Sequence, residues 1–260
     1  MSISFFLKKS NFQLTNPECI LLDKDGTLID VHHYWTEMTI LRVKNVLKEF
    51  NISDKAPDQI SRSIERTLGI DHANSRIFNN GPAGVLPRKE INKILKKALL
   101  KFDLQISERK IAEIFDKVDL ISEKNIKFFL KVLPGVEEFL NRCKEFDIRL
   151  ALISNDITSR LRLCVDSLGY LENFTYLIGQ DKYNLPKPDK KMALSVLESG
   201  NFNKNKVISI GDHPNDIRMC LNAGIKNNIA VLSGLSSKED FQGLDCLITD
   251  TFEEIIINEL

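Results

Sequence analysis

The chain has little cysteine and no cysteine motif. Its 260 residues include five cysteines, which are far apart and never form a CxxC pair. Each lies in an apolar run, so we predict buried, reduced thiols and not a disulfide framework or a thiolate metal site. The five are Cys19, Cys143, Cys164, Cys220 and Cys246.

An excess of charge and a long apolar run are also missing. Lysine plus arginine number 36, as do aspartate plus glutamate, so the formal net charge is zero. Such a chain has no global field for gathering nucleic acid or an anionic membrane, and an anionic ligand must be bound locally. The apolar segment at residues 3–7 is too short for a membrane span or a signal-peptide core. We therefore expect a cytoplasmic protein without nucleic-acid or membrane partners.

The hydrophobic residues follow two different patterns. In residues 1–30 and 132–260, short apolar runs typical of buried strands alternate with helical stretches, whereas residues 31–131 repeat apolar positions at i, i+3, i+4 and i+7 without a convincing strand. Alternating strands and helices favour parallel pairing through right-handed crossovers. We predict an α/β fold with a doubly wound, mostly parallel sheet, interrupted after its first strand by an all-helical insert. The predicted strands are 19–22, 150–153, 176–178, 207–210, 229–232 and 246–248.

Polar residues follow several of these strands. In doubly wound sheets, ligands bind outside the carboxyl ends of the strands, so residues placed there can meet. Taken singly, each is more often a turn former or a surface lysine. Taken together, carboxylates, a hydroxyl, an amide and an ammonium are typical of a site for a hard cation and a phosphoryl group. The residues are Asp23, Asp25, Ser154, Asn155, Lys187, Asp212 and Asp216.

In their order and spacing, these motifs resemble the four loop motifs of the haloacid dehalogenase superfamily. An apolar strand precedes the segment Asp23-Lys24-Asp25-Gly26-Thr27, a second strand ends in Ser154, and Lys187 follows. The last motif is Gly-Asp at 211–212 with a second acid at position 216. The resemblance implies a Rossmann-like catalytic core at 1–30 and 132–260, with a helical cap domain at 31–131, as in phosphoglycolate phosphatases.

The resemblance and the charges together suggest a role for most of these residues. A carboxylate attacks a phosphate dianion poorly unless a divalent cation and an ammonium neutralise part of the charge. Asp23 would be the nucleophile, and Ser154, Asn155 and Lys187 would bind the phosphoryl oxygens. Mg²⁺ would be the cofactor. Its predicted ligands are Asp23, Asp212 and the backbone carbonyl of Asp25, with Asp216 beside them orienting a water or Lys187.

Asp25 indicates the reaction type. Two residues beyond the nucleophile, it can protonate the leaving oxygen and later deprotonate the attacking water. Superfamily members that displace halide lack this second aspartate and need no Mg²⁺. The resemblance therefore favours phosphoryl transfer over dehalogenation.

The insert contains candidate substrate contacts. Arg88 lies in a loop marked by glycine and proline before a helix, where it could pair with a second anionic group of the substrate; the alternative is a surface arginine. His32, His33 and Trp35 could line the cleft, or serve only in packing or as a hinge. Lys89 keeps open a Schiff-base role like that of phosphonate-cleaving relatives.

Three functions remain open at this point. The first is a phosphatase that hydrolyses a small phosphorylated metabolite, a phosphate monoester, through an aspartyl-phosphate intermediate. The second is a sugar phosphomutase using the same intermediate, since the two differ only in whether water or a hydroxyl reaches it. The third is a non-catalytic phosphate-binding or regulatory module. Such a module usually lacks the nucleophile or the lysine, and both are present here.

Overall fold

The chain forms two compact units. The computed structural model describes residues 2–8, 10–52 and 59–260; residues 1, 9 and 53–58, which fall within the predicted segments 1–30 and 31–131, lie outside the described residues. One unit comprises Met1–Asp30 and Val132–Leu260, and the other is Val31–Lys131. Among the described helices, none is long and apolar enough to cross a membrane.

The strands and helices are numbered in chain order. They are β1 (Ile3–Leu7), β2 (Gln13–Thr15), β3 (Cys19–Leu22), α1 (Val31–Lys48), α2 (Gln59–Thr67), β4 (Ile70–Asp71), β5 (Arg76–Ile77), α3 (Arg88–Leu100), α4 (Glu108–Lys124), α5 (Ile126–Phe129), α6 (Val136–Glu145), β6 (Arg149–Ser154), α7 (Thr158–Ser167), β7 (Tyr176–Gly179), α8 (Lys191–Gly200), β8 (Val207–Gly211), α9 (Pro214–Asn222), β9 (Asn227–Val231), β10 (Leu247–Thr249) and β11 (Ile255–Glu259). Short 3-10 helices occupy Leu171–Asn173, Gln180–Lys182, Lys204–Lys206, Lys238–Phe241 and Phe252–Glu254.

A six-stranded sheet forms the centre of the first unit. Its order is β10-β9-β8-β3-β6-β7, and every neighbouring pair is parallel. All four residues of β3 are buried, as the continuous apolar run predicts for a central strand. The predicted doubly wound, mostly parallel sheet is therefore confirmed.

The register brings three strand ends to one edge of this sheet. Leu22, the last residue of β3, pairs with Leu152 of β6 on one side and with Ile210 of β8 on the other. The chain winds outward from β3 through β6 to β7, then returns to β8 on the opposite side of β3. Strand order thus reverses around β3, and such switch points are where ligands bind in α/β sheets.

The first predicted strand is in fact the third strand of the chain. A separate antiparallel sheet, ordered β11-β1-β2, pairs residues 3–7 with residues 255–259. The insert follows β3, the first strand of the parallel sheet along the chain, as predicted, but the two preceding strands of the antiparallel sheet were not predicted. Partners about 250 residues apart leave no local signal, and the Ile3–Leu7 run was too short to be assigned by its pattern alone.

The second unit is not entirely helical. Helices α1, α3 and α4 follow the predicted periodicity, but β4 and β5 form a two-residue antiparallel ladder in which Ile70 pairs with Ile77. Both isoleucines are buried. The prediction of an all-helical insert was wrong at this point, because a two-residue strand is too short to show an alternating pattern.

All five cysteines are free thiols, as predicted. Four of them are buried in the first unit, where Cys19 and Cys220 belong to the apolar cluster beneath the parallel sheet. Cys246 is only partly buried, so the prediction of burial was wrong for this residue.

The antiparallel sheet generates a stability prediction. Phe5 of β1 has no exposed surface, whereas Phe6 points to the other face and is partly exposed. Phe5→Ala should reduce the free energy of unfolding by about 3 to 5 kcal/mol, because truncating a buried phenylalanine leaves a cavity. Phe6→Ala is the matched control and should reduce the free energy of unfolding by a clearly smaller amount. Urea unfolding of both variants measures the difference. Equal losses of stability would contradict the alternation of buried and partly exposed side chains along β1.

Candidate active site

The loop after β3 is held by backbone hydrogen bonds. Asp23 donates its N–H to the carbonyl of Ile210 at 3.1 Å, which continues the pairing with β8. The N–H groups of Leu28 and Ile29 both donate to the carbonyl of Lys24, at 2.9 and 3.0 Å. Gly26 has a φ of +83°, a conformation that glycine adopts without steric strain. The loop therefore turns sharply and fixes the backbone on both sides of Asp25.

A buried ammonium joins two loops and the start of α9 at the sheet edge. Lys187 Nζ lies 2.6 Å from Asp23 Oδ1 and 2.7 Å from Asp216 Oδ1. The Lys187 side chain is 3% exposed. Because a buried charge is costly unless it is paired, the lysine and the two aspartates depend on one another for their positions.

Asp216 is held by both of its oxygens. Its Oδ2 accepts a hydrogen bond from the N–H of His213 at 3.0 Å, as part of a capping box at the start of α9. Its Oδ1 contacts Lys187. The carboxylate thus links a helix N-terminus to the buried ammonium. Its predicted role beside the metal stays a prediction.

Asp212 occupies a pocket that requires glycine. A methyl group at either Gly26 or Gly234 would overlap the Asp212 carboxylate. Thr27 Oγ1 donates to Asp212 Oδ1 at 3.4 Å, and Ser233 Oγ donates to the carbonyl of Gly26 at 2.6 Å. The loop after β9 therefore packs directly on the loop after β3 and on Asp212.

The loop after β6 connects to the lysine loop. Ser154 is buried, and its Oγ accepts a hydrogen bond from the N–H of Asp156 at 3.1 Å. Asn155 Oδ1 accepts one from the backbone N–H of Lys187 at 2.8 Å. Asn155 therefore joins two loops of the site, and its contact with substrate stays a prediction, as does that of Ser154.

Burial changes the acidity of the central aspartates. It raises the pKa of Asp23 to about 7; the carboxylates of Asp216 and Asp25 add to the rise, while the Lys187 ammonium opposes it. Burial also raises the pKa of Asp212 well above its usual range, and the charges of Asp23 and Asp216 act in the same direction. The site therefore has more buried negative charge than its one central ammonium neutralises.

The donor atoms fit a hard divalent cation. Asp23, Asp212 and Asp216 each place a carboxylate oxygen so that the three oxygens lie within 4.8 Å of one another. An all-oxygen set is what Mg²⁺ prefers over softer metals, and a cation would offset the repulsion between carboxylates that adds to the effect of burial on the two pKa values. The backbone carbonyl of Asp25, which is the remaining predicted ligand, belongs to the same loop as Asp23.

The candidates in the second unit have partners there. Arg88 contacts Asp116 at 2.7 Å and also pairs with Asp119, while its side chain remains 37% exposed. Its contact with a second anionic group of the substrate stays a prediction, as does the Schiff-base role of Lys89.

The histidine and tryptophan contacts in α1 favour the packing alternative. His32 Nε2 lies 2.7 Å from a terminal nitrogen of Arg76, and His33 Nε2 lies 3.1 Å from the carbonyl of Phe128. The ring of Trp35 packs edge-on against Tyr34.

Sequence reasoning missed four residues that help to build the site. Gly234 and Ser233 follow β9, and their position after a strand was the available signal. Lys24 lies between the two aspartates of the first motif, and Asp156 lies two residues after Ser154. Lys24 Nζ is 2.7 Å from Asp156 Oδ2 and 3.2 Å from Asp25 Oδ2.

Comparisons with known proteins identify relatives of this chain. Residues 20–231 match the family model of the haloacid dehalogenase-like hydrolases. The chain is 26% identical over 212 residues to a phosphoglycolate phosphatase of Aquifex aeolicus (strain VF5), which covers 82% of this chain and 84% of the relative.

Solved structures share the fold. A candidate beta-phosphoglucomutase from Thermotoga maritima superposes with a TM-score of 0.66 at 20% identity, covering 91% of this chain and 95% of the other. A predicted phosphoglycolate phosphatase from Haemophilus somnus 129PT gives a TM-score of 0.63 at 17% identity, covering 92% and 96%. The predicted superfamily and class of enzyme, a hydrolase resembling phosphoglycolate phosphatases, are confirmed. Since the family model spans most of the sequence, the chain belongs to the haloacid dehalogenase-like hydrolase family.

Proposed function

We propose that this protein is a Mg²⁺-dependent phosphatase that hydrolyses a small phosphate monoester through an aspartyl phosphate on Asp23. The observation that carries the proposal is the Lys187 ammonium, 2.6 Å from Asp23 and 2.7 Å from Asp216 among carboxylates that suit a cation. In this proposal residues 1–30 and 132–260 are the catalytic domain, and residues 31–131 are the cap domain.

The residues that would hold Mg²⁺ are Asp23, Asp212 and the backbone carbonyl of Asp25, with Asp216 beside them. The bound ion would supply positive charge that offsets the negative charge of the phosphoryl group and of the attacking carboxylate. Lys187 supplies a second positive charge from the protein itself. Its contact with Asp23 Oδ1 fixes one oxygen of the nucleophile and leaves the other for attack.

In the first half-reaction, an oxygen of Asp23 attacks phosphorus and the bond from phosphorus to the ester oxygen breaks. Asp25 donates its proton to that oxygen, so the oxygen departs as a neutral hydroxyl group and not as an alkoxide. Ser154, the neighbouring backbone N–H groups and Lys187 bind the phosphoryl oxygens, on which negative charge is spread in the transition state.

In the second half-reaction, Asp25 removes a proton from water as the water oxygen attacks phosphorus. The bond between phosphorus and Asp23 breaks, which releases inorganic phosphate and restores the carboxylate. The proton taken up by Asp25 replaces the one donated in the first half. One side chain therefore serves as acid and then as base.

The relatives suggest the first substrate to test. Matched curated relatives, including those of Aquifex aeolicus and Nitrosospira multiformis, are phosphoglycolate phosphatases. We propose 2-phosphoglycolate or a similarly small phosphorylated metabolite as substrate. Phosphate release from a panel of such esters tests this proposal, and isomerisation of a hexose phosphate without release would favour a mutase instead.

Loss of the nucleophile is the sharpest test of the mechanism. Asp23→Asn should lower kcat for phosphoglycolate and for p-nitrophenyl phosphate by about a thousandfold or more, because the amide forms no phosphoryl intermediate. Asp166→Asn removes an exposed carboxylate from α7 and is the matched control, expected to retain full activity. Unchanged turnover in Asp23→Asn would refute the covalent mechanism.

The raised pKa of Asp23 predicts a pH-dependent effect of Mg²⁺ on stability. Its pKa of about 7 exceeds the ordinary value of 3.8, so between these values the folded protein binds a proton that the unfolded chain lacks. Without metal, this contribution to stability therefore falls as the pH rises through that window. Mg²⁺ competes with the proton, so it should raise the Tm more at pH 8 than at pH 5.5.

Thermal unfolding with and without Mg²⁺ at the two pH values measures this effect. At each pH, subtracting the Tm without Mg²⁺ from the Tm with Mg²⁺ cancels the contributions of titrating groups distant from the metal. Asp212→Asn should lose the Mg²⁺-dependent rise, since it removes a ligand charge. An equal rise in Tm at both pH values would contradict the link between the Asp23 proton and the metal.

A further inference from the structure

Lys24 is a buried lysine inside the first motif. It lies between Asp23 and Asp25 in sequence, and its side chain is 3% exposed. A lysine in a surface turn normally extends into water, because burying an unpaired ammonium is costly. Here the side chain turns inward and its Nζ lies 2.7 Å from Asp156 Oδ2 and 3.2 Å from Asp25 Oδ2.

Asp156 provides a fixed anchor for this ammonium. Its N–H donates to Ser154 Oγ at 3.1 Å, and its carbonyl accepts from the N–H of Gln180 at 3.0 Å. Its second carboxylate oxygen accepts from the N–H of Ile157 at 2.8 Å. Hydrogen bonds thus hold both the backbone and the side chain of Asp156 in the loop after β6. Asp156 therefore fixes the position of Lys24 Nζ, although Lys24 belongs to the loop after β3.

Asp25 is held much less firmly. Its side chain is 36% exposed, against 11% for Asp23 and 8% for Asp216. Since proton transfer requires the carboxylate to lie within hydrogen-bond reach of the leaving oxygen, a half-exposed side chain needs a constraint. The ion pair between Lys24 and Asp25 Oδ2 is such a constraint.

We propose that Lys24 is a positioning residue that aligns the Asp25 carboxylate for proton transfer to the leaving oxygen, with Asp156 fixing the Lys24 ammonium. This inference rests on the proposed phosphatase function and adds a constraint to it. The pair with Oδ2 leaves the other oxygen of Asp25 for the proton. Lys24 itself bonds to no reacting atom and gains or loses no proton in the step.

A comparison of two esters separates this role from general support of the fold. The anion of p-nitrophenol is a weak base and leaves without a proton, whereas an alkyl phosphate such as phosphoglycolate needs one on its leaving oxygen. The parameter kcat/KM covers the steps through departure of the leaving group. Lys24→Met should therefore lower kcat/KM for phosphoglycolate about tenfold more than for p-nitrophenyl phosphate.

Further variants tie the effect to Asp25. Asp25→Asn should show the same preference for p-nitrophenyl phosphate, and more strongly. The double variant of Lys24→Met with Asp25→Asn should be no worse than Asp25→Asn alone, because Lys24 has then nothing to position. Lys226→Met removes an exposed lysine from the loop before β9 and should leave both esters unaffected.

Thermal unfolding with and without Mg²⁺ shows whether each variant is folded and retains its metal site. The Mg²⁺-dependent rise in Tm should persist in Lys24→Met. Should that variant fail to fold, Asp156→Asn decides the question: it keeps an acceptor for the N–H of Ile157 but removes the anchoring charge. It should show the same ester preference to a smaller degree.

The outcomes distinguish this inference from the proposed function. A wild-type protein that hydrolyses neither of these esters nor any other ester of the panel would refute the phosphatase proposal itself. A wild type that hydrolyses both, with a folded Lys24→Met variant that loses equal activity on each, would overturn only the role of Lys24. Additive losses in the double variant would overturn it as well.

Discussion

The contact of one buried ammonium with two carboxylates determines the arrangement of the site. Lys187 Nζ lies within 2.7 Å of both Asp23, in the loop after β3, and Asp216, in the first turn of α9 after β8. Removing such a group would leave uncompensated buried charge, so the three segments that contain these residues depend on one another for their positions. The repulsion that remains among the carboxylates is what a cation would relieve.

The parallel sheet makes this contact possible. Because β3 pairs with β6 and β8 in register, the loops that follow all three strands begin at the same edge. Short side chains then suffice to bring groups from distant parts of the sequence together. The backbone also lies close to Asp212 at two glycines. Because Gly26 and Gly234 have no side chain, they leave room for the Asp212 carboxylate.

The two lysines of the site hold different carboxylates. Lys187 contacts the nucleophile and the acid at the start of α9, whereas Lys24 contacts Asp25 and Asp156. In the proposed mechanism Lys187 thus holds the carboxylate that attacks phosphorus, and Lys24 holds the carboxylate that transfers the proton. Because the two ammonium groups are separate, different parts of the site position the nucleophile and the proton donor. The loop after β6 positions the proton donor through Asp156 and Lys24.

The strand-end motifs and the doubly wound sheet could be predicted from local patterns in the sequence. A continuous apolar run before Asp23 is a local signal for a buried strand, and the order of motifs identified the family. Tertiary structure alone decided which groups touch: the inward turn of Lys24 and the packing of Gly234 on Asp212 depend on loops far apart in the chain. It also decided the pairing of β1 with β11. Local periodicity reports which face of an element is buried, but it contains no information about the distant partner that covers that face.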